Sequence, residues 1–575
     1  MVFHPPPWVP EFRAPSRSIT LPQFMYEDHH GRKVKRSSRA PFTCGVTGRS
    51  YSAVEVAQRV DYLARSLAAT LGFDNEEGTE WERVVGIFSY NSIDYVPATH
   101  AVHRISGIAT PANAAYSAQE LQYHLKASRT KALFVCVSLL ETALKATRAL
   151  KIPDENIYIL PLPDQASDSR FKSIEDLINQ GKNLPPLPPQ QWAEGRNARQ
   201  VAYLSFSSGT SGTPKAVKLS HYNIMSNVVQ TTTFEGVSRQ KEGIDTQVSL
   251  GALPFSHIYG LTIISHCGMY RGDEIIVLHR FDLKKVLELV QNYKINQLYI
   301  VPPILIQLIR NAELCKSYDL NSVRFAMSGA APLGKETITQ IAQLFPRWKL
   351  GQGYGLTESS PGAVAQAEFD LMPGAAGSLI TGTKAKLIDS NGKEVTAYEE
   401  RGELLMQSPS IALGYLDNDK SSAETFVWDK DGRWLRTGDE VIVTKSPLGN
   451  EQLVVVDRLK ELIKVKGHQV APAELEAHLL EHPFVADCAV IGIPSVESGE
   501  VPRAFVVTSP KAKGVSKEEI TKALLKHVED HKTRHKRLKG GVEFVEAVPK
   551  SPSGKILRRV LRDQYAKASK PGPRL

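Results

Sequence analysis

Apolar residues recur along this chain with two alternating periods. Between Ser52 and Leu71 they fall at helical spacing, at Val56, Val60, Leu63, Leu67 and Leu71, the stripe an amphipathic helix turns toward a core. Ser117-Ala-Gln-Glu120 has the form of a capping box opening a helix, and Ala132-Leu-Phe-Val-Cys136 after it reads as a buried strand. The unit recurs: Asp282 to Val290 is helical in pattern, and Gln297-Leu-Tyr-Ile-Val301 is a strand stopped by Pro302-Pro303. Helix and strand alternating in this way predict an α/β protein with largely parallel sheets. Pro161 to Gln191, rich in Pro, Asp and Ser, predicts a surface connection. Roughly the last 120 residues are more basic, with short strands around Leu453–Val456 and Cys488–Ile491, and predict a separate, smaller α+β domain. The expected division is an N-terminal extension over 1–44, a large domain over 45–456 and a small C-terminal domain over 457–575.

Composition narrows the class. A length of 575 residues exceeds one ordinary core, and 42% hydrophobic with 23% charged residues is a globular balance. No apolar run approaches the roughly 18 residues of a spanning helix, and Met1 to Lys35 lacks the apolar centre of a signal peptide. The five cysteines lie far apart with no Cys-x-x-Cys pair, which argues against a disulfide framework, a cysteine zinc site and a dithiol centre. An intracellular, reducing habitat is expected. Of the net charge of +9, ten Lys or Arg against four Asp or Glu fall between Lys511 and Gly540. Without interleaved aromatics this stretch reads as a solvated helix face, and no nucleic-acid partner is expected.

Candidate chemistry is sharpest at Ser207-Ser208-Gly209-Thr210-Ser211-Gly212-Thr213-Pro214-Lys215, directly after the apolar Val201–Leu204. Such a run cannot bury a core. Its glycines let backbone approach a ligand, its hydroxyls and amides are anion donors, and Lys215 adds a point charge suited to phosphate. It is not the P-loop of the NTPases, because Thr213-Pro214 separates Gly212 from Lys215. A second pattern, His478-Leu-Leu-Glu481-His482, matches the zinc peptidase form His-x-x-Glu-His and offers a zinc-dependent hydrolase as an alternative. The same residues also read as a plain amphipathic helix with Leu475, Leu479 and Leu480 turned inward.

The glycine-rich loop resembles the phosphate-binding signature of the adenylate-forming superfamily, which includes acyl- and aryl-CoA ligases, peptide-synthetase adenylation domains and beetle luciferases. Further motifs follow in that family's order: Ser328-Gly-Ala-Ala-Pro-Leu333, Gly351-Gln-Gly-Tyr-Gly-Leu-Thr-Glu358, Trp434-Leu-Arg-Thr-Gly-Asp439, Asp457-Arg-Leu-Lys-Glu-Leu-Ile-Lys-Val-Lys-Gly467 and Pro549-Lys-Ser-Pro-Ser-Gly-Lys555. The likeness covers about residues 45 to 560. Gly467-His-Gln-Val-Ala-Pro-Ala-Glu-Leu-Glu476 is most similar to coumarate-type and to fungal phenylacetate- or fatty-acid-type CoA ligases. The resemblance implies a large adenylation domain of parallel-sheet subdomains, a mobile C-terminal lid, and ATP, Mg2+ and CoA as cofactors or co-substrates. A role in fungal secondary metabolism is its further expectation.

In that chemistry a carboxylate attacks the α-phosphate of ATP and pyrophosphate leaves, so catalysis rests on positioning and on cancelling negative charge. By resemblance, the loop from Ser207 to Lys215 holds the β- and γ-phosphates, Thr357 contacts the α-phosphate, and Glu358 helps hold magnesium. Tyr354 stacks on adenine, with Gly329, Ala330 and Ala331 as the other wall. Asp439 accepts from the ribose hydroxyls with Arg458 in support, and Lys555 reaches the reacting oxygens. For thioester formation the C-terminal domain rotates about Asp457, so that Lys464, Gln469 and Gly467 replace Lys555, the glycine lying in a narrow thiol channel. Alone, each residue has an ordinary reading, such as a turn cap for Glu358 or Asp439 and a solvated lysine for Lys555.

Pro254-Phe-Ser-His257-Ile-Tyr259 is similar to the segment in which a histidine gates the acid and an aromatic lines its pocket. Ile263 and the run Ser359-Ser-Pro-Gly362 depart from the plant hydroxycinnamate lining, since Ile263 is bulkier and less polar than the serine expected there. The expected substrate is therefore an apolar aryl-alkyl or medium-chain fatty acid. A luciferase-like adenylating oxygenase would share the same motifs. The ending Pro573-Arg574-Leu575 is similar to a relaxed Ser-Lys-Leu peroxisomal address, so a peroxisomal import receptor is an expected partner and the peroxisome or cytoplasm the expected location.

Overall fold

The computed structural model describes every residue except 31–37, 72–78, 164, 166–167, 208–213, 467, 496, 552–553 and 569–575. Two large sheets carry the main body. In the first, the strands Val84–Phe88, Ile108–Ala112, Ala132–Val135, Ile157–Ile159 and Val201–Ser207 run parallel, and Lys215–Ser220 and Gly414–Tyr415 add antiparallel at one edge. In the second, six strands run parallel in the order Lys349–Gly355, Phe325–Ser328, Gln297–Ile300, Val248–Gly251, Glu274–Val277 and Phe42–Cys44. Parallel strands need covered faces, and the apolar periods supply the covers. The helix Ala53–Leu71 buries Val56, Val60, Leu63 and Leu67, and Leu283–Tyr293 opens on an Asp282 side-chain cap. Ser117 and Glu120 form the expected capping box. Pro302-Pro303 does stop the strand before it, and the same prolines occupy the first turn of a helix, Pro302–Arg310, where a missing N–H costs nothing.

A third, antiparallel sheet joins Lys384–Ile388, Gly402–Gln407, Gly432–Lys445, Phe426–Asp429 and Glu451–Arg458. The strand around Leu453–Val456 thus belongs to this sheet rather than to the C-terminal unit. That unit has its own sheet, of Ile463–Val465, His468–Val470, Val485–Ser495, Gly499–Thr508 and Val542–Phe544, over a separate core that includes Leu475, Leu479, Val490, Val506, Leu524 and Val528. Among the described residues no helix is long and apolar enough to cross a membrane. All five cysteines are buried and unpaired.

Two stretches differ from expectation. The described residues of the stretch 1–44 are built into the body instead of extending from it. Phe3 exchanges backbone hydrogen bonds with Ala385, Leu21, Phe24 and Met25 lie in the main core, and Phe42–Cys44 is a strand of the second sheet. The Pro- and Asp-rich stretch 161–191 contains a helix, Ile174–Lys182, opened by a Ser173–Asp176 capping box and burying Ile174, Leu177 and Ile178. It packs so closely on Ala53–Leu71 that a β-carbon at Gly181 would stand 1.8 Å from the Tyr62 carbonyl oxygen. In an exposed helix, glycine to alanine is stabilising. Here Gly181→Ala is expected to destabilise by about 1–3 kcal/mol, because backbone must move; urea denaturation followed by circular dichroism checks the sign.

Candidate active site

A cavity of about 600 Å³ opens where the three sheets of the body meet the C-terminal unit. On its border Tyr354 and Arg458 hold a buried carboxylate that lines the adjoining cleft. Asp439 and Arg458 are direct cross-strand partners in the third sheet, which sets the guanidinium Nε 3.3 Å from Asp439 Oδ1. Tyr354, on the strand Lys349–Gly355, donates its hydroxyl to Asp439 Oδ2 at 2.7 Å. Burial raises the Asp439 pKa, opposed by Arg458 and by the Tyr354 hydrogen bond. The tyrosine hydroxyl is pushed well above its ordinary range by burial and by the neighbouring carboxylate. Two further acceptor sites on Asp439 remain for a ligand's hydroxyls.

Lys555 reaches this cavity from the C-terminal unit, beside Arg458, Thr357, Glu358 and His257. Burial, reinforced by repulsion from Arg458, lowers its ammonium to about 8, with Glu461, Asp439 and Glu358 acting in the opposite sense. On the phosphate side, Ser207 ends one strand and Lys215 begins the next as its antiparallel partner. Ser208, Gly209, Thr210, Ser211 and Gly212 lie outside the described residues. Lys215 Nζ sits 4.8 Å from the Tyr415 ring centre, and the Tyr415 hydroxyl donates to Glu358 Oε1 at 2.9 Å. Tyr415 thereby links the lysine and the carboxylate, a role no sequence motif signalled.

The acid side is lined by His257, Tyr259 and Ile263, with Met327, Gly329, Gly362, Val364 and Ile380. Tyr259 donates its hydroxyl to the Met327 carbonyl at 3.0 Å, and its backbone N–H donates to His257 Nδ1 at 3.3 Å, which leaves Nε2 as the protonated nitrogen. Burial, with Lys555 nearby, lowers the His257 pKa to about 4. Tyr259 to His266 forms a π-helical segment, a distortion common at ligand sites. The helix His221–Lys241 contributes Thr231, Phe234 and Glu235 to the same wall, and the sequence reading did not single these out. Their only sequence signal is the polar i, i+4 stripe Asn227, Thr231, Glu235.

Not every candidate meets here. Gly329 and Ala330 border the cavity, whereas Ala331 lines an adjoining cleft shared with Asp439 and the C-terminal helix. Lys464 and Gln469 face each other on an exposed hairpin of the C-terminal unit, away from the cavity, and Gly467 between them is outside the described residues. The zinc pattern does not form. The helix Pro472–Leu480 ends before Glu481 and His482, so the two imidazoles do not share a helical face. His478 instead stacks on His527 with ring planes 8° apart at 4.1 Å, each Nε2 bonding the other's carbonyl. The imidazole atoms that do approach one another within 4.8 Å are those of His478, His527 and His531, a set the His-x-x-Glu-His spacing does not contain.

Comparison with known proteins agrees with this geometry. Residues 31–416 match the AMP-binding enzyme family and residues 474–555 the AMP-binding enzyme C-terminal domain. The chain belongs to the AMP-binding enzymes. It is 37% identical to acyl-CoA ligase easD of Emericella nidulans over 98% of this chain and all of that one. With acyl-CoA ligase AFT1-1 of Alternaria alternata it shares 38% identity over 100% and 99% of the two chains. Among solved structures, ATP-bound MatB from Rhodopseudomonas palustris matches with a TM-score of 0.78 at 23% identity over 96% of this chain and 99% of that one. The anthranilate CoA ligase AuaEII in complex with anthranoyl-AMP matches with a TM-score of 0.80 at 23% identity, covering 96% and 98%. Likeness at that identity concerns the fold.

With a pKa near 4 rather than the ordinary 6.5, His257 is expected to stay neutral throughout the working range. In histidine-labelled protein its ring resonances should not shift between about pH 5.5 and 8; a titration centred near 6.5, absent from His257→Gln, would contradict this.

Proposed function

We propose that this chain activates a carboxylic acid with a mainly apolar body as its acyl-adenylate and then transfers the acyl group to CoA. It is an ATP-dependent acid–CoA ligase. The observation carrying the assignment of parts is that Lys555, with Tyr354 and Arg458, the two partners of Asp439, opens into the same cavity as His257, Tyr259 and Ile263. Nucleotide and acid would meet where the lysine enters.

In this reading Tyr354 and Gly329–Ala330 flank adenine, Asp439 accepts from the ribose hydroxyls, and Ser207 and Lys215 face the β- and γ-phosphates. Thr357 lies against the α-phosphate. Glu358 and Thr357 are hard oxygen donors suited to Mg2+, and Tyr415 occupies only Oε1 of the glutamate. A magnesium ion there would supply charge neutralisation on the phosphates. Lys555 brings its ammonium to the attacking carboxylate and the α-phosphate, where two anions must meet. Neutral His257 borders the path of the acid. The second half-reaction takes Lys555 out and brings Lys464, Gln469 and Gly467 in; the exposure of Lys464 and Gln469 to solvent while the half-buried Lys555 lines the cavity fits the adenylation arrangement. A luciferase-like oxygenation would differ by consuming oxygen, which an oxygen electrode detects directly.

Two outcomes test the lysine. Lys555→Ala should lose about 10²–10³-fold in pyrophosphate release while still converting supplied acyl-adenylate and CoA to thioester. Equal loss in both half-reactions would overturn the two-arrangement assignment. Because the ammonium titrates near 8, raising the pH through that value removes the cation. Adenylation kcat/KM should therefore fall above about pH 8, the free-enzyme parameter reporting the free-enzyme pKa. The limb should disappear in Lys555→Arg, whose charge persists.

The relatives named above are fungal, which supports a place in fungal acid metabolism. The peroxisomal address rests on Pro573-Arg574-Leu575, which lies outside the described residues. A fluorescent protein fused at the N-terminus should give punctate signal that becomes diffuse when the last three residues are deleted; diffuse signal with them intact leaves a cytosolic enzyme.

A further inference from the structure

The acid cavity leads away from the nucleotide side between two elements that run outward together. These are the helix His221–Lys241 and the strand Gly362–Ala365, which pairs antiparallel with Lys349–Gly355. Near Thr357 and Glu358, Asn227 donates to the Gly362 carbonyl at 2.7 Å. Further out, Ser238 accepts from the Glu368 amide at 3.3 Å. Phe234 stands between these two contacts, two turns beyond Asn227, which is about 10 Å along a helix axis. At that depth Phe234, Ala365 and Ile380 line the cavity.

Phe234 and Ile380 join Ala367 in a small buried cluster separate from the main core, and Trp8, Val9 and Phe369 pack against it. The Trp8 ring lies 5.1 Å from that of Phe234, tilted by 53°, and 4.9 Å from that of Phe369 at 72°. Trp8 itself is not among the residues lining the cavity, so it stands behind the wall. The amino-terminal arm that carries it is fastened to the residues just after Ile380. The Thr381 hydroxyl donates to the Pro10 carbonyl at 2.6 Å, and a β-carbon at Gly382 would lie 2.9 Å from Phe12 Cβ. Beyond them Phe3 exchanges backbone hydrogen bonds with Ala385. Phe234 is 1% exposed, and in a close-packed interior its ring can yield only into space that its neighbours leave. Trp8 fills that space on the side away from the acid.

We infer that Trp8 limits the length of the acid this enzyme accepts by holding Phe234 across the far end of the cavity. This rests on the acid–CoA ligase reading. Trp8 is a positioning residue: it touches Phe234, and Phe234 meets the end of the acid opposite the carboxylate. The carboxylate end is set independently by Lys555 and His257. A smaller side chain at position 8 lets the Phe234 ring swing back, so the cavity gains room for further methylenes without any change at the reacting end.

The test is pyrophosphate release and CoA-thioester formation over a homologous series of straight-chain acids, with melting temperatures measured alongside. Trp8→Ala should move the preferred acid to a longer chain. For acids beyond the wild-type optimum, kcat/KM should rise relative to that optimum by about tenfold or more, the scale on which a methylene is discriminated in an apolar pocket. The KM for ATP should not move. Trp8→Phe keeps a ring against Phe234 and should restore the wild-type order of acids. Trp8→Leu, a milder truncation, carries the same expectation should Trp8→Ala fail to fold. If the truncated variants lose activity evenly across the series and keep the wild-type order, the arm is only structural and the inference is overturned. Absence of pyrophosphate release from the wild-type enzyme with any acid would instead defeat the ligase reading.

Discussion

The arrangement of this molecule depends on holding one carboxylate, Asp439, out of water. Burial alone would drive it toward its neutral form. The opposing contributions come from two places far apart in sequence, the Tyr354 hydroxyl on the second sheet and the Arg458 guanidinium one strand across in the third. Satisfying that single group therefore fixes the angle between two sheets and the register of the strand that leads into the C-terminal unit. The next residue back, Asp457, bonds the Arg458 amide at 2.7 Å and the Ala473 amide of the C-terminal helix at 3.0 Å. A polar requirement at the nucleotide side thus propagates to the placement of the domain that delivers Lys555.

What was legible in the sequence was what local physics decides. The helices at 53–71, 118–127 and 283–293 follow from apolar spacing and from Ser or Asp caps, each a property of a short window. The helix at 174–182 carried the same signals, a Ser-x-x-Asp cap and Ile174, Leu177 and Ile178 in step, but surrounding prolines and aspartates made the stretch read as a connection. Residues 1–44 could not be placed because their partners are distant: Phe42–Cys44 pairs with Glu274–Val277, and Leu21 donates its N–H to the His221 ring at 3.0 Å.

The site divides the same way. Residues carried on turns and strand ends, such as Lys215, Thr357, Glu358 and Lys555, stand out in sequence because small, ordered, polar runs have no packing purpose. Residues that act from the interior of a regular element do not. Thr231 and Glu235 occupy positions that a helix ordinarily gives to solvent, and only their tertiary neighbours turn them into a cavity wall. The reverse error is His478 and His482, which match a metal pattern by spacing while the helix stops short of the second histidine.

The strand Phe42–Cys44 has a consequence for how the chain is made. Its parallel neighbour Glu274–Val277 and the strands beyond it are encoded more than two hundred residues later. At ribosomal speeds of about 5–20 residues per second, the earliest strand of the second sheet, paired at first only with the two-residue strand Ser50–Tyr51, waits roughly 10–50 s for its parallel partner. During that time its outer edge is uncovered, and the Leu21, Phe24 and Met25 cluster before it lacks its contacts at His221 and Tyr270. The parallel strands of the first sheet, which lie between residues 84 and 207, are made before that partner. Vectorial synthesis therefore yields a folded middle carrying an unsatisfied amino-terminal segment, and a chaperone that binds short apolar stretches would find its target there.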